Sequence, residues 1–406
     1  MPTNTLSERT IRFLILMIFL AAAMETDIYL PAFPDMMVAF DTNETMIQRV
    51  LSFNFLGICL ASLIYGPLSD AIGRRSVLNV GYALFILGSI GCVFSTDINV
   101  LIFWRFVQGF GSAACMIIGA AMVFDLYKAE KATEIVSDLN SLVVSIIAFA
   151  PMLGGWINYQ FGYTYNFVFI AALTIVTGLI CFTKLPESLP VEKRKPLSIK
   201  GIGSDYVTVL KNGEFWANTL ITTAIFSGYM VFISNMPLIF VNHLGIDNAV
   251  FPFYQVSLLV AFVIASINNG RLIKWFGANS LRRYGFLTIV LMTLAMFVLP
   301  TSWQQLPLLV TSLMVFYSLG AGVCIGIFFA RSMEAVPNQT GVSASLVTAI
   351  RLALVALVID ISGAMFDGTM TSVINLISGC ILLSVFIYLG DNLRARRHKK
   401  TASLKV

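Results

Sequence analysis

The sequence predicts an all-α integral membrane protein of twelve transmembrane helices in two pseudo-symmetric six-helix bundles. Three observations lead there. Hydrophobic residues make up 58% of the 406-residue chain and charged residues only 12%, whereas a soluble globular domain is about one quarter charged. Apolar runs of about 20 residues, the length that crosses the hydrocarbon of a bilayer, recur along the whole chain. Two halves of the chain also repeat landmark residues in the same order.

The runs lie at 11–33, 46–68, 76–96, 99–124, 135–157 and 163–183, then at 215–241, 250–269, 284–301, 306–330, 341–364 and 371–390. Inside lipid every backbone polar group needs a partner, so only helices or closed barrels cross it, and runs this long exclude barrel strands. The first run is expected to stay as a span. It is too long for a signal peptide and passes into a proline-containing polar end instead of a small-residue cleavage site. The longest connection contains VEKRKP and separates six runs from six. The expected division is a first bundle at 1–183, a central cytoplasmic loop at 184–213, a second bundle at 214–390 and a basic tail at 391–406.

Pro31 late in the first run is matched by Pro237 late in the seventh. GPLSDAIGRR (66–75) after the second run is matched by GRLIKWFGANSLRR (270–283) after the eighth. Duplicated halves of this kind imply a transporter that rocks two bundles around a central site.

Twelve crossings put both termini on one side. With the amino terminus in the cytoplasm, all of the 26 Lys and Arg except Arg49, Arg105 and Arg351 fall in cytoplasmic segments, as the positive-inside rule requires. The expected location is therefore a bacterial inner membrane with both termini cytoplasmic. The tail RARRHKK (394–400) then reads as a topology determinant beside anionic lipid, so the net charge of +5 does not call for nucleic acid.

The six cysteines are scattered among apolar runs and the only histidines are His243 and His398. No metal, cofactor or histidine-based enzyme chemistry is expected. No GxxxxGK[ST] occurs, so ATP is not the expected energy source. The expected partners are a small-molecule substrate, protons and the bilayer, and the expected unit is a monomer.

Within GPLSDAIGRR the residues Gly66, Leu68, Ser69, Asp70, Gly73, Arg74 and Arg75 carry a pattern. Its glycines permit a tight turn, and its acid and arginines form charge-assisted bonds to neighbouring helix ends. It resembles the signature loop of the major facilitator superfamily, with Ala71 replacing a usual cation. RFVQGFGSA (105–113) in the fourth run resembles a second motif of that family. APMLGG (150–155) in the fifth resembles its antiporter motif, with Ala150 in place of the first glycine; Pro151, Gly154 and Gly155 are the matching positions. TDIYLPAFP (26–34) looks like the first helix of the Bcr/CflA branch of drug:proton antiporters. The resemblance implies proton-coupled export of drugs or amphipathic small molecules. A dedicated exporter of an anionic metabolite such as a siderophore, and an uptake symporter, are the alternatives.

Glu25 and Asp27 interrupt the first run. An ionised carboxylate at mid-bilayer costs about 2.5–3.5 kcal/mol on insertion scales, so it must be paired, wet or protonated. Burial disfavours its charge and a nearby arginine favours it, as proton coupling requires. At 1.5 Å per residue the two acids and Arg105 of the fourth run reach a similar depth, so an arginine–carboxylate contact is expected. At about 100° per residue the acids lie about 200° apart and cannot share a face. The resemblance favours Asp27 as the principal proton site tuned by Arg105, because it occupies the D of D-x-Y-L-P. Glu25 is a second proton or cation site, or a polar residue near a wet end. Arg351 in the eleventh run either pairs with a carboxylate on another helix or faces the cavity as an anion contact. Tyr29 and Tyr229 are candidate cavity aromatics.

Overall fold

The computed structural model describes residues 8–194, 196–336 and 339–403, and every regular element among them is helical. The first span is broken. α1 (Glu8–Asp27) stops at the second acid, a 3-10 turn (Leu30–Ala32) carries Pro31, and α2 (Phe33–Ala39) completes the crossing. Pro31 and Pro34 lack the N–H groups that an unbroken helix would use, and their rings crowd the preceding turn. The first bundle continues through α3 (Glu44–Ile72), α4 (Arg74–Val93), α5 (Ile98–Leu126), α6 (Ala129–Phe161) and α7 (Thr164–Lys184). After α8 (Ile199–Leu210), the second bundle opens with α9 (Gly213–Pro237), which passes at Pro237 into a π-helix (Leu238–His243). The first helix of each half thus changes character at its repeated proline. α10 (Phe251–Phe276), α11 (Ala278–Val298), the short α12 (Thr301–Gln304), α13 (Pro307–Glu334), α14 (Thr340–Met365) and α15 (Met370–Ser403) complete the chain.

Eleven spans among the described residues are long and apolar enough to cross a membrane. α6 is the twelfth crossing: its charges, Glu130, Lys131, Glu134 and Asp138, are confined to its start, and from Leu139 onward it is uncharged. Side-chain caps mark helix starts. Asn43, Asp97 and Asn212 accept from the N–H groups of Met46, Asn99 and Phe215 at 3.0, 2.8 and 2.9 Å, occupying donors that the first turn leaves free. The Asn99 N–H also holds the Asp97 carboxyl below the usual carboxylate range.

The connection expected as a plain loop contains α8, which is seated on the second bundle. Its Val209 is fully buried with Phe215, Leu346 and Val347. The Tyr206 hydroxyl donates to the Leu63 carbonyl of α3 at 2.9 Å, and Gln339 donates to Asp205 at 2.8 Å. α8 therefore straps the two halves at the loop end, the end that carries the connection. A cleft of about 560 Å³ opens there, lined by Gly66, Asp70, Arg74, Tyr206, Gln339 and Ser345 among others.

At the opposite, proline end the halves are bonded across their interface. Gln48 of α3 donates to the Ser234 carbonyl and to Asn235 of α9 at 3.0 and 3.2 Å. Thr45 donates to the Gly363 carbonyl of α14 at 2.9 Å. Arg49 pairs with Asp360 of α14 at 2.8 Å, an ion pair between the bundles. Both side chains are more than a third exposed, and such a pair is worth about 0.2–1 kcal/mol. Arg49→Ala is expected to raise the share of molecules open at the proline end by up to about fivefold. Spin-label distances between Val38 and Val250 measure it, and an unchanged distribution would mean that the pair does not hold this end shut.

Candidate functional site

The last turn of α1 places its two acids in different surroundings. Glu25 is fully buried and saturated with donors. Its Oε2 accepts from Arg105 Nη1 at 2.8 Å, its Oε1 from the Ser112 hydroxyl at 3.0 Å, and both oxygens from the Asn54 amide at 3.2 and 3.3 Å. Arg105 Nη1 also donates to Gln108 Oε1 and, at 3.3 Å, to the Glu25 carbonyl; the Gln108 amide donates onward to Ser89 at 2.9 Å. The Tyr29 ring lies 4.2 Å from the Arg105 guanidinium and stacks on Phe167 at 5.7 Å. Four helices of the first bundle, α1, α3, α4 and α5, thereby share one network around the Glu25–Arg105 pair. A buried carboxylate needs that many donors to offset its lost hydration.

The arginine and the acids meet at the depth expected, with a different partner. Arg105 meets the first-helix acid at the expected height, but its ion pair is with Glu25, not Asp27. The reason is geometric. The acids are about 200° apart on the helix, and the face of Glu25 is the one turned to α3 and α5. Among the described residues no hydrogen bond or ion pair reaches the Asp27 carboxylate, although Asp27 is only 6% exposed. It stands at the end of α1, where the regular helix stops. Glu25 is a locked acid facing its own bundle, and Asp27 a buried acid that no bond holds.

The signature loop is built around Arg74. Its guanidinium bonds Asp70 at 2.5 Å, Asp125 at the end of α5 at 2.9 Å and Ser69 at 2.7 Å. Glu187, beyond α7, accepts from the backbone N–H groups of Arg74 and Arg75 at 3.0 and 3.3 Å, an acid at the positive end of α4. The Arg75 guanidinium donates to the Phe182 carbonyl at 2.7 Å. Gly66 was expected in the turn, yet it lies inside α3. The turn is the single residue Gly73, with φ +106°, a conformation that L side chains rarely adopt.

In the antiporter-like motif, Pro151 lies inside α6. A Cβ on Gly154 would overlap the Ile28 carbonyl oxygen, and one on Gly155 would come within 2.5 Å of Pro252 on α10. The motif therefore lets α6 touch the break in the first span on one side and the second bundle on the other. Gly155→Val is expected to slow transport more than it weakens binding, because it obstructs a packed contact between the bundles that must re-form in each cycle, at about 1–3 kcal/mol. Transport rates against binding isotherms in the same preparation check this, and the reverse pattern would contradict it.

Of the expected cavity residues, Tyr29 is 1% exposed beneath Arg105 and makes no open surface in this conformation. Tyr229 is also enclosed, stacked between Phe226 at 6.4 Å and Phe262 at 5.6 Å. Arg351 has no carboxylate partner among the described residues and lies over the rings of Phe226 and Phe329 at 5.3 and 6.0 Å. Asn54, Ser112, Glu187 and Asp125 were not anticipated. Asn54 is a lone amide in the apolar stretch SFNFLG, Ser112 follows the glycines of the span-4 motif, and Glu187 follows the seventh helix. Isolated polar residues in or beside apolar runs were their only sequence signal.

The family model described as Major Facilitator Superfamily matches residues 15–359. The chain belongs to the Major Facilitator Superfamily. Its relatives include a bicyclomycin resistance protein homolog of Haemophilus influenzae, 24% identical over 91% of this chain and 94% of that one. Multidrug resistance protein D of Escherichia coli is 24% identical over 84% of this chain and 85% of its own length. These relatives agree with the Bcr/CflA resemblance of TDIYLPAFP. The crystal structure of a D-xylose-proton symporter superposes with a TM-score of 0.72 at 14% identity, covering 94% of this chain and 97% of that one; it shares the superfamily fold. The chain is thus a multi-pass membrane protein of a transporter superfamily.

Proposed function

We propose that this superfamily member is a proton-coupled antiporter that exports amphipathic small molecules by alternating access. The loop end and both termini face the cytoplasm of a bacterial inner membrane. The single observation that carries the reading is the division of labour between Glu25 and Asp27. Glu25, held by Arg105, Asn54 and Ser112, fixes the end of α1 to its bundle. Asp27, with no bond to hold it, is the acid free to exchange a proton with the space between the bundles. This conformation, bonded across the proline end and cleft at the loop end, suits loading from the cytoplasm. Release follows when the Arg49–Asp360 and Gln48 bonds break and the loop end closes. The bundles move as units 1–183 and 214–390, joined by the 184–213 connection, with 391–406 as a cytoplasmic extension and the monomer as the working unit. The resistance names of the relatives support export as the direction.

Reconstitution tests the proposal. In proteoliposomes with an imposed pH gradient, at least one member of a panel of cationic, neutral and anionic compounds, bicyclomycin included, should move against the proton flow. A panel in which no compound responds to the gradient would contradict proton coupling.

A further inference from the structure

Arg351 sits about 16 Å along the roughly 39 Å length of α14, near mid-membrane. It is deep among the helices yet keeps some accessible surface. Its charge lies over Phe226 of α9 and Phe329 of α13. Rings engage a guanidinium through their faces and supply no acceptor in the plane of its five N–H donors. Among the described residues no hydrogen bond from Arg351 and no acid beside it is found, and its Nε is buried without a partner.

Arg105 provides the comparison inside the same fold. It too lies against an aromatic ring, and its Nη2 is buried without a partner, but its Nη1 is taken by Glu25 and Gln108. That is a structural arginine with its own acid, and Arg351 has none. An uncompensated charge at this depth is costly, and a planar donor fork left open matches a carboxylate or similar oxyanion. The apolar surroundings extend from it in one direction: Phe226 stacks on Tyr229, which stacks on Phe262 and carries a hydroxyl without a partner.

We propose that Arg351 is the anion-recognising residue of the cargo site, and that the cargo joins an acidic group to an apolar or aromatic body resting on the Phe226–Tyr229 wall. The inference rests on the exporter reading above and names its substrate class. Asp27 is then left to the proton while Arg351 holds the cargo, so the two need not compete for one charge.

Three probes share one ring system and differ in charge: naphthoate, its methyl ester and naphthylmethylammonium. Equilibrium binding to the purified full-length protein in nanodiscs, without a pH gradient, reads recognition independently of proton coupling. The wild type should bind naphthoate about tenfold more tightly than the ester, the worth of one charge-assisted contact, and the ammonium most weakly. Arg351→Gln should bring naphthoate to the level of the ester and leave the ester unchanged. Arg351→Lys should fall between, because an ammonium keeps the charge and loses the planar fork. Phe226→Leu keeps the guanidinium and should weaken naphthoate and ester alike, which tests the wall even where Arg351→Gln does not fold. No naphthoate preference in the wild type, or full preference in Arg351→Gln, overturns the proposal. Naphthoate binding that depends on Arg351, without coupled transport in the gradient assay, would leave it standing and refute the antiport reading instead.

Discussion

Asp27→Asn is expected to reduce proton-driven transport to background while leaving membrane insertion and probe binding intact. The substitution keeps shape and polarity and removes only the ability to gain and lose a proton. Asp27 makes no bond to the described residues and lies outside the Glu25 network, so nothing in the packing of α1 against α3 and α5 depends on its charge. Exchange of substrate for substrate, which needs no net proton movement, should survive. Flux measured with and without the gradient separates the two, and coupled flux at the wild-type rate would remove Asp27 from the mechanism.

Glu25→Ala should act mainly on stability. It leaves the fully buried Arg105 without its carboxylate and frees the Asn54 amide and the Ser112 hydroxyl inside the bundle. Removing one member of a buried pair costs about 3–5 kcal/mol, because the remaining charge is stranded. Glu25→Gln retains an acceptor and should cost less. Arg105→Ala strands the acid in turn, and the double variant should be less damaged than the sum of the singles. Thermal unfolding in detergent measures all four variants. Losses that simply add would mean that the pair is not an energetic unit.

The architecture was legible because its signals are physical necessities of lipid. Apolar runs long enough to cross, basic residues on one side and prolines repeated late in the first helix of each half all followed from the chain. The meeting of Arg105 with the acids of α1 followed from rise per residue alone. Which acid it meets did not follow, since that depends on the rotation of α1 against α3 and α5 and on Asn54, a residue whose importance appears only when three helices close around it. Gly66 was read as part of a turn because the motif is contiguous in sequence, whereas the helix runs through it to Ile72 and leaves the turn to Gly73. α8 escaped notice because twelve residues make no spanning run, and its buried Val209 acquires meaning only against Leu346 and Val347. The partner of Asp360 is 311 residues away in the other half, beyond any local pattern.

The division between a locked and a free acid is tested most directly by proton release on substrate binding. Purified protein in weakly buffered detergent with a pH indicator receives a compound that the wild type transports. The account predicts proton release from the wild type and from Glu25→Gln, and none from Asp27→Asn. Release that persists in Asp27→Asn and disappears in Glu25→Gln would contradict it and transfer the proton site to the Arg105 pair.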